Sequence, residues 1–138
     1  MNKLTPEKLR EDRINGFLKI ADEEFRAAES LVAALPRQAA YMMQQSVEKT
    51  LRAVLERDGV PAGPGHNIAN LVSLLSKAHP LRDDFLAFDD LSTASTRYRY
   101  PSEKGLVAEP DMALLPERLQ PLLALRQRAI AYIKPLSV

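Results

Sequence analysis

Apolar side chains recur every three to four residues along nearly the whole chain, and this period constrains the fold more than any other feature of the sequence. Such spacing places the apolar side chains on one face of an α-helix. No segment shows the strict alternation of apolar and polar residues that is typical of a half-buried strand. The pattern therefore predicts an all-α protein, and its 138 residues suit one domain covering 1–138.

Two long helices are predicted in the first half of the chain. Thr5 and Pro6 provide an N-cap and a proline at the first helical position, and the helix they begin continues for about 30 residues until Pro36 ends it. Its apolar stripe comprises Ile14, Phe17, Leu18, Ala21, Phe25, Ala28, Val32 and Leu35. The second helix covers about Arg37–Arg57 and buries Ala40, Met43, Val47, Leu51, Val54 and Leu55.

Shorter helices are predicted after a loop rich in glycine and proline. Gly59 ends the second helix and begins this loop. Asn67 is expected to cap a third helix that ends near Pro80, with Ile68, Leu71, Val72, Leu75 and Ala78 pointing inward. A fourth helix from about Leu81 has an apolar face made of Phe85, Phe88, Leu91 and Ala94.

The last third of the chain contains a loop and one more helix. Pro101–Leu115 lacks a helical period and is predicted to be a loop. The last helix reaches about Lys134, and it begins either at Pro116 with a kink at Pro121 or at Pro121 itself; we favour Pro116. Its inward face comprises Leu119, Leu122, Leu123, Arg126, Ala129, Ile130 and Ile133. These elements and loop lengths predict an antiparallel up-and-down bundle of about five helices.

The composition excludes several classes of function. The chain has no cysteine, which removes disulfides, thiolate catalysis and cysteine-based zinc sites. His66 and His79 do not share a helical face with a carboxylate one turn away, so we predict neither a metal nor a cofactor. The polar N-terminus lacks the apolar core of a signal peptide, and no window is apolar enough for a membrane helix. We therefore expect a cytoplasmic protein without a membrane partner.

A polar stripe on the second helix is the first candidate site. Tyr41, Gln45, Glu48 and Arg52 follow one another at intervals of four, three and four residues, and Lys49 stands four residues after Gln45. Glu48 and Arg52 can form an ion pair along the helix. This face is either a solvated or interhelical polar surface, or the wall of a cleft that holds a ligand.

The second candidate site is the run Arg97–Tyr98–Arg99–Tyr100 before Pro101. If the fourth helix continues through Tyr100, Arg97 and Tyr100 lie on neighbouring faces and Arg99 points elsewhere. If the chain is already extended before the proline, the arginines point to one side and the tyrosines to the other. In either case a base can stack on a ring while an arginine holds a phosphate. The alternative is that these residues only anchor the end of the helix.

Three segments in this order resemble the HEPN domain family (higher eukaryotes and prokaryotes nucleotide-binding): "AAYMMQQSVEKTLRAVLERDGV", "GHNIANLVSLL" and "TRYRYP". The resemblance covers about Arg13 to Tyr100. It implies a helical bundle that forms a homodimer with a cleft near the dimer seam. It also implies a nucleotidyltransferase-type protein as a partner in toxin–antitoxin-like pairs, and many members are metal-independent ribonucleases.

The chain departs from the ribonuclease motif of that family, in which a histidine follows an arginine after four to six residues. Neither Arg97 nor Arg99 is followed by a histidine, and none occurs after His79. The motif therefore lacks the imidazole that would move a proton near neutral pH. We expect no catalytic residue, and the sequence favours a binding protein over an enzyme.

Three hypotheses follow from these observations. The first is a non-catalytic homodimer that binds a nucleotide, an RNA end or a partner protein. In it Arg97 and Arg99 hold phosphate, Tyr98 or Tyr100 stacks, and the cleft is lined by Gln45, Glu48 and, as a further candidate, Lys49. The second is a divergent ribonuclease that uses a carboxylate or His66 as its base. The third is an interaction module that docks an antitoxin-like partner without a small ligand.

Overall fold

A computed structural model describes residues 5–65 and 67–134. In that part of the chain the regular secondary structure is entirely helical, which confirms the predicted all-α bundle. The α-helices are α1 (Pro6–Leu31), α2 (Pro36–Arg57), α3 (Ile68–Val72), α4 (Arg82–Leu86) and α5 (Leu119–Ile133). A 3₁₀ helix, Asp89–Ser95, follows α4, and a second one, Pro116–Arg118, precedes α5.

Helix α1 begins as predicted and ends earlier than predicted. The Thr5 side chain accepts a hydrogen bond from the Lys8 backbone N–H at 3.1 Å, which is an N-cap contact. The helix stops at Leu31, and Leu35, expected on the buried stripe, is 48% exposed. The reason is Pro36, whose ring disfavours helical backbone at the preceding residue; Leu35 accordingly has φ −133° and ψ 69°.

Helices α1 and α2 are antiparallel and pack along their length. Glu24 of α1 meets Lys49 of α2, while Arg13, nearer the start of α1, meets Glu56, nearer the end of α2. The apolar face predicted for α2 is fully buried, and this helix also packs against α5 and the first 3₁₀ helix. Helix α2 is therefore the central element of the bundle.

A glycine ends α2 in the predicted manner. Gly59 has a φ of +73°, and the N–H groups of Gly59 and Val60 donate to the carbonyls of Glu56 and Leu55 at 3.1 and 2.9 Å. This pair of bonds satisfies two of the last carbonyls of the helix, and the positive φ favours glycine at that position.

The third and fourth predicted helices are shorter than expected. Asn67 caps α3 by accepting from the Asn70 backbone N–H at 3.1 Å, but α3 ends at Val72 and Ala78 is exposed. Helix α4 covers only Arg82–Leu86, and the chain then becomes a 3₁₀ helix. The predicted inward face of Phe85, Phe88, Leu91 and Ala94 is nevertheless buried. Its spacing of three residues matches the three residues per turn of a 3₁₀ helix, which explains the change of helix type.

The last helix begins at the favoured position but with a different type of helix. Helical structure starts at Pro116, as favoured, but as a 3₁₀ turn, and α5 starts at Leu119. Pro121 is the third residue of α5, where the backbone N–H has no partner within the helix, so a proline fits there without a kink. Arg126 lies on the buried face as predicted, where it is 6% exposed and donates to Asp22 at 3.3 Å.

Candidate functional site

The run Arg97–Tyr100 forms a turn at the end of the first 3₁₀ helix. The N–H of Arg97 donates to the Thr93 carbonyl at 2.6 Å, and the N–H of Tyr100 donates to the Thr96 carbonyl at 3.1 Å. The chain therefore stays turned up to Pro101. As expected for a continuing turn, Arg97 and Tyr100 reach the same surface, and Arg99 points elsewhere.

Arg97 and Tyr100 line a surface groove of about 490 Å³, which we call the arginine–tyrosine groove. Its lining is Thr96, Arg97, Tyr100, Pro101, Ser102, Leu106, Val107 and Ala108. One wall is a turn in the loop after Pro101. In it the Ser102 backbone N–H donates to the Leu106 carbonyl at 2.8 Å, and the Leu106 N–H donates to the Ser102 hydroxyl at 3.0 Å. The groove thus combines one guanidinium, one phenol ring and an apolar wall.

Arg99 connects this turn to α2. Its guanidinium carbon lies 4.5 Å from the ring centroid of Tyr41 and 5.7 Å from that of Tyr100. Neither Arg97 nor Arg99 forms an ion pair with a carboxylate of the described residues. Both exposed guanidinium groups are therefore available to an anion. Tyr98 differs from these residues because it is half-buried against the core.

Lys49 lies between α1 and α2, Gln45 is hydrogen-bonded to it, and neither residue lines the groove. The Lys49 ammonium donates to Gln45 Oε1 at 2.8 Å and lies 3.3 Å from a Glu24 carboxylate oxygen. Burial between the two helices raises the pKa of Glu24, and the neighbouring Lys49 opposes that shift. This part of the predicted polar stripe is an interhelical contact.

Glu48 and Arg52 hold the loop after α2. Glu48 is 1% exposed and accepts from Arg52 Nε at 3.1 Å. The other guanidinium nitrogens of Arg52 donate to the carbonyls of Gly63, at 2.7 Å, and Gly65. The fork of arginine suits this multiple contact, which fixes the loop beside α2. His66, the next residue and a candidate in the sequence analysis, lies outside the described residues.

A second pocket, which the sequence analysis missed, lies beside the arginine–tyrosine groove. It measures about 320 Å³ and is lined by Asn67, Ser92, Thr93, Ser95 and Thr96; we call it the hydroxyl pocket. The run of hydroxyl residues directly before Arg97 was the sequence signal for it. Thr96 lines both cavities.

His79 belongs to a separate network that joins α2 to α5. Asp58 accepts from Tyr132 Oη at 2.6 Å and from His79 Nε2 at 3.0 Å. The other ring nitrogen of His79 accepts from the Leu81 backbone N–H at 3.1 Å. Arg57 lies 5.0 Å above the Tyr132 ring. These residues are far apart in the sequence, so no motif indicated the network.

Metal and membrane sites were also considered for residues 5–65 and 67–134. They contain no group of three or more histidine, aspartate or glutamate side chains arranged to hold a metal ion. None of the helices in these ranges combines the length and the apolar character of a membrane span.

Comparison with protein families gives a match to the HEPN domain over residues 14–114. The match covers most of the chain and includes α2 and the arginine–tyrosine groove. The chain belongs to the HEPN domain family. The searches of curated proteins and of solved structures gave no match to this chain.

The HEPN match ends before α5, although α5 contributes to the same core. Leu122, Leu125 and Ala129 are completely buried, and Tyr132 donates to Asp58 at the end of α2. The HEPN domain of this protein is thus completed by a helix beyond the matched range. Within the described residues, the lining of the arginine–tyrosine groove includes no histidine, aspartate or glutamate.

Proposed function

We propose that this HEPN domain is a non-catalytic binding protein of the cytoplasm, acts as a homodimer, and binds the phosphate of a nucleotide or an RNA end in the arginine–tyrosine groove. The observation that carries the proposal is the placing of Arg97 and Tyr100 in one groove, with Arg99 on the same turn. A guanidinium offers a planar fork to phosphate, and an exposed phenol ring offers a stacking surface to a base. The Tyr100 side chain is available for this role because the residue is 61% exposed.

Binding without catalysis is favoured by the chemistry of the groove lining. Cleavage of RNA requires a group that takes a proton from the 2′-hydroxyl, and carboxylates and imidazoles are the usual candidates. The groove lining described above contains neither. His79, the histidine in the described part, is engaged on both ring nitrogens in another network.

Thermal unfolding against a panel of nucleotides and short RNAs tests the binding proposal. A ligand at about 100 times its dissociation constant should stabilise the protein by roughly 2.7 kcal/mol. We expect Arg97→Ala to abolish this shift. Arg128→Ala is the matched control, because Arg128 is an exposed arginine on α5 that pairs with Asp84 and lies outside the groove. A panel without any shift, or an equal shift in the Arg97 variant, would contradict the proposal.

The ribonuclease alternative is tested with the same variant. It requires cleavage of RNA without a divalent metal that is lost in Arg97→Ala. Equal cleavage by the parent and by Arg97→Ala would be assigned to a contaminant. Cleavage by the parent that is lost in Arg97→Ala would identify a ribonuclease and overturn the non-catalytic proposal.

The homodimer is proposed to use the apolar side chains of the loop after Pro101. Leu106, Val107 and Leu114 are 69%, 53% and 57% exposed, which is unusual for large apolar residues close together in one loop. Light scattering should give twice the chain mass, and Leu106→Asp should give a monomer. Leu86→Asp serves as the control, since Leu86 is an exposed leucine on α4. A monomeric parent protein would refute this part of the proposal.

The same loop supports a second candidate function, the docking of a partner protein of the nucleotidyltransferase type. In that case the apolar loop is covered by the partner, and Arg99→Ala weakens the complex while the stability of the isolated domain stays nearly unchanged. Co-purification of such a protein with the parent and its loss with the variant would favour this function.

A further inference from the structure

Another cavity, of about 380 Å³, lies where α1 begins and where α2 and α5 end. Its lining includes Glu7, Arg10, Glu11, Ile14, Arg57 and Ile133, and we call it the helix-end pocket. Among the described residues, none lines both this pocket and the arginine–tyrosine groove. The helix-end pocket is therefore a separate site, and it is built from three segments that are far apart in the sequence.

Arg57 enters the helix-end pocket from the end of α2, and neighbouring side chains hold it in place. Its guanidinium carbon lies 5.0 Å from the centroid of the Tyr132 ring, and its Nη1 lies 3.5 Å from Asp58 Oδ1. Asp58 is itself held by hydrogen bonds from Tyr132 and His79. Because a guanidinium has five N–H donors, this long contact leaves most of them for a ligand. The Asp58–His79–Tyr132 network thus orients Arg57 at the pocket.

Arg10 of α1 reaches the same end of α2. A Cβ added to Gly59 would lie 3.9 Å from Arg10 Nη2, which places this guanidinium beside the turn that ends α2. Arg10 and Arg57 therefore enter one cavity from two different helices. Two guanidinium groups in one cavity repel each other unless an anion compensates them, and their planar forks suit a carboxylate.

Two carboxylates line the helix-end pocket together with these arginines. Glu7 and Glu11 are one helical turn apart on α1, a spacing at which like charges repel. No ion pair within residues 5–65 and 67–134 includes Glu7, Arg10 or Glu11. A purely anionic ligand would face the two glutamates, and a purely cationic ligand would face the two arginines. Only a ligand that carries both charges compensates both groups.

The helix-end pocket also contains apolar surface. Ile14 is only 8% exposed, and Ile133 is half-buried at the end of α5. An aliphatic group placed against them leaves water, which is favourable. The volume of about 380 Å³ lies in the range of pockets that hold small molecules.

We propose that the helix-end pocket binds a free α-amino acid with an aliphatic side chain. The carboxylate lies on the two arginines, the ammonium lies on the two glutamates, and the side chain lies on the two isoleucines. This class of ligand presents both charges and an apolar group on adjacent atoms, as the lining of the pocket requires. The inference goes beyond the proposed function, because both the cavity and the class of ligand differ from those of the phosphate site.

An NMR titration of the isotopically labelled protein tests this inference with L-leucine, glycine, N-acetyl-L-leucine and L-leucinamide. Relative to leucine, the last three compounds lack the side chain, the ammonium and the carboxylate, respectively. Leucine should bind with a dissociation constant of roughly 1 mM and shift the amide signals of Ile14, Arg57 and Ile133. Each of the other compounds should bind at least about fivefold more weakly, because a charged contact at a partly exposed site, or the partial burial of an aliphatic group, contributes about that factor.

Variants assign each charge of leucine to its partner in the pocket. Arg10→Gln should weaken the binding of leucine about fivefold and leave that of leucinamide unchanged, since leucinamide has no carboxylate. The double variant Glu7→Gln/Glu11→Gln should weaken leucine by about the same factor and leave N-acetyl-leucine unchanged, since that compound has no ammonium. Arg128→Gln and Glu29→Gln are the matched controls, because both residues are exposed on helices and lie outside the lining of the pocket.

Several outcomes would overturn the amino-acid site. The absence of any signal change with leucine at about 20 mM, well above the expected dissociation constant, would show that the pocket is not a site for it. Equal affinities for leucine and either capped compound would show that one of the two charges is not recognised. Unchanged leucine affinity in both the arginine and the glutamate variants, or shifts confined to Arg97 and Tyr100, would place the binding elsewhere. Arg97→Ala should leave the binding of leucine unchanged, so this test is independent of the phosphate site.

Discussion

Replacing Tyr132 by phenylalanine should destabilise the protein by about 1.5 kcal/mol, because it removes one hydrogen bond and little else. The Tyr132 hydroxyl donates to Asp58 Oδ1 at 2.6 Å, so the bond is short and its acceptor is a carboxylate. It joins α5 to the end of α2, the two elements that close one side of the core. The ring remains in phenylalanine, and so does its packing on His79, whose ring centroid is 4.8 Å away.

The expected magnitude follows from the surroundings of the bond. Hydrogen bonds to charged groups contribute roughly 1.5 to 3 kcal/mol to stability. Tyr132 is only half-buried, and Asp58 keeps its bond from His79 in the variant, so the lower end of that range applies. For a chain of this size, 1.5 kcal/mol corresponds to a decrease in Tm of roughly 6 °C.

The assay is urea unfolding at neutral pH, with Tyr100→Phe as the matched control. Tyr100 is 61% exposed, and the described residues provide no hydrogen-bond partner for its hydroxyl. Its substitution should therefore change the free energy of unfolding by less than about 0.5 kcal/mol. If Tyr132→Phe costs no more than Tyr100→Phe, the network does not link α5 to α2 energetically and the reasoning is refuted.

The same network predicts a dependence on pH in the alkaline range. Burial raises the pKa of Tyr132 above its ordinary value, and the hydrogen bond to Asp58 and the charge of Asp58 raise it further. A raised pKa in the folded state means that folding favours the protonated phenol. The associated stability is complete below the unfolded-state value of about 10 and is lost as the pH rises through the folded-state pKa. The difference in stability between the parent and Tyr132→Phe should therefore be constant from neutral pH to about 9 and shrink above 10.

Three further predictions concern the core, the backbone and the interhelical ion pair. Phe85→Ala should lower the free energy of unfolding by about 3 to 5 kcal/mol, because Phe85 is completely buried. Leu86→Ala should lower it by less than about 1 kcal/mol, because Leu86 is 43% exposed. Equal losses in urea unfolding would contradict the assigned faces of α4. Gly59→Ala should destabilise the protein by about 1 kcal/mol, because the φ of Gly59 is +73°. Gly16→Ala in α1 should stabilise it by up to about 1 kcal/mol, because a Cβ at Gly16 meets nothing within 4 Å. Thermal unfolding in which both variants shift the stability in the same direction would contradict this prediction. The pKa of Glu24 is raised in the folded protein, so the parent should gain stability relative to Glu24→Gln as the pH falls from 7 through that pKa. If the difference in stability between the two proteins stays constant down to pH 4, Glu24 titrates alike in the folded and unfolded states and the prediction is wrong.

Much of the fold was accessible from the sequence because it depends on local signals. The N-cap at Thr5, the cap at Asn67 and the glycine at the end of α2 are satisfied within a few residues along the chain, and each lies where it was predicted. The predicted helix bounds were wrong where another local preference overrode the α-helical period. Pro36 alters the backbone of Leu35, and a spacing of three residues after Phe85 selects a 3₁₀ helix instead of a continued α-helix.

The residues of the candidate site were named from the sequence, but the tertiary partners of the polar stripe on α2 were not. The sequence identified the run Arg97–Tyr100 as one element, and the turn that places Arg97 beside Tyr100 is itself a short-range structure. The polar stripe of α2 was read as one face, but the packing of α1 assigns Lys49 to Glu24, while Glu48 and Arg52 hold the following loop.

The sequence by itself determined the helical class, the family and the residue types available to the site, because periodicity, caps and motifs are encoded in contiguous residues. Only the tertiary structure decided which of these residues meet. Asp58, His79 and Tyr132 come from three separate segments, and their hydrogen bonds exist only because α5 packs against α2. The hydroxyl pocket likewise depends on Asn67 at the start of α3 lying beside Ser92–Thr96, and the backbone N–H of Ile68 donates to the Ser92 hydroxyl at 3.0 Å to hold them together. Such contacts are set by packing between distant segments, for which a single sequence carries no local signal.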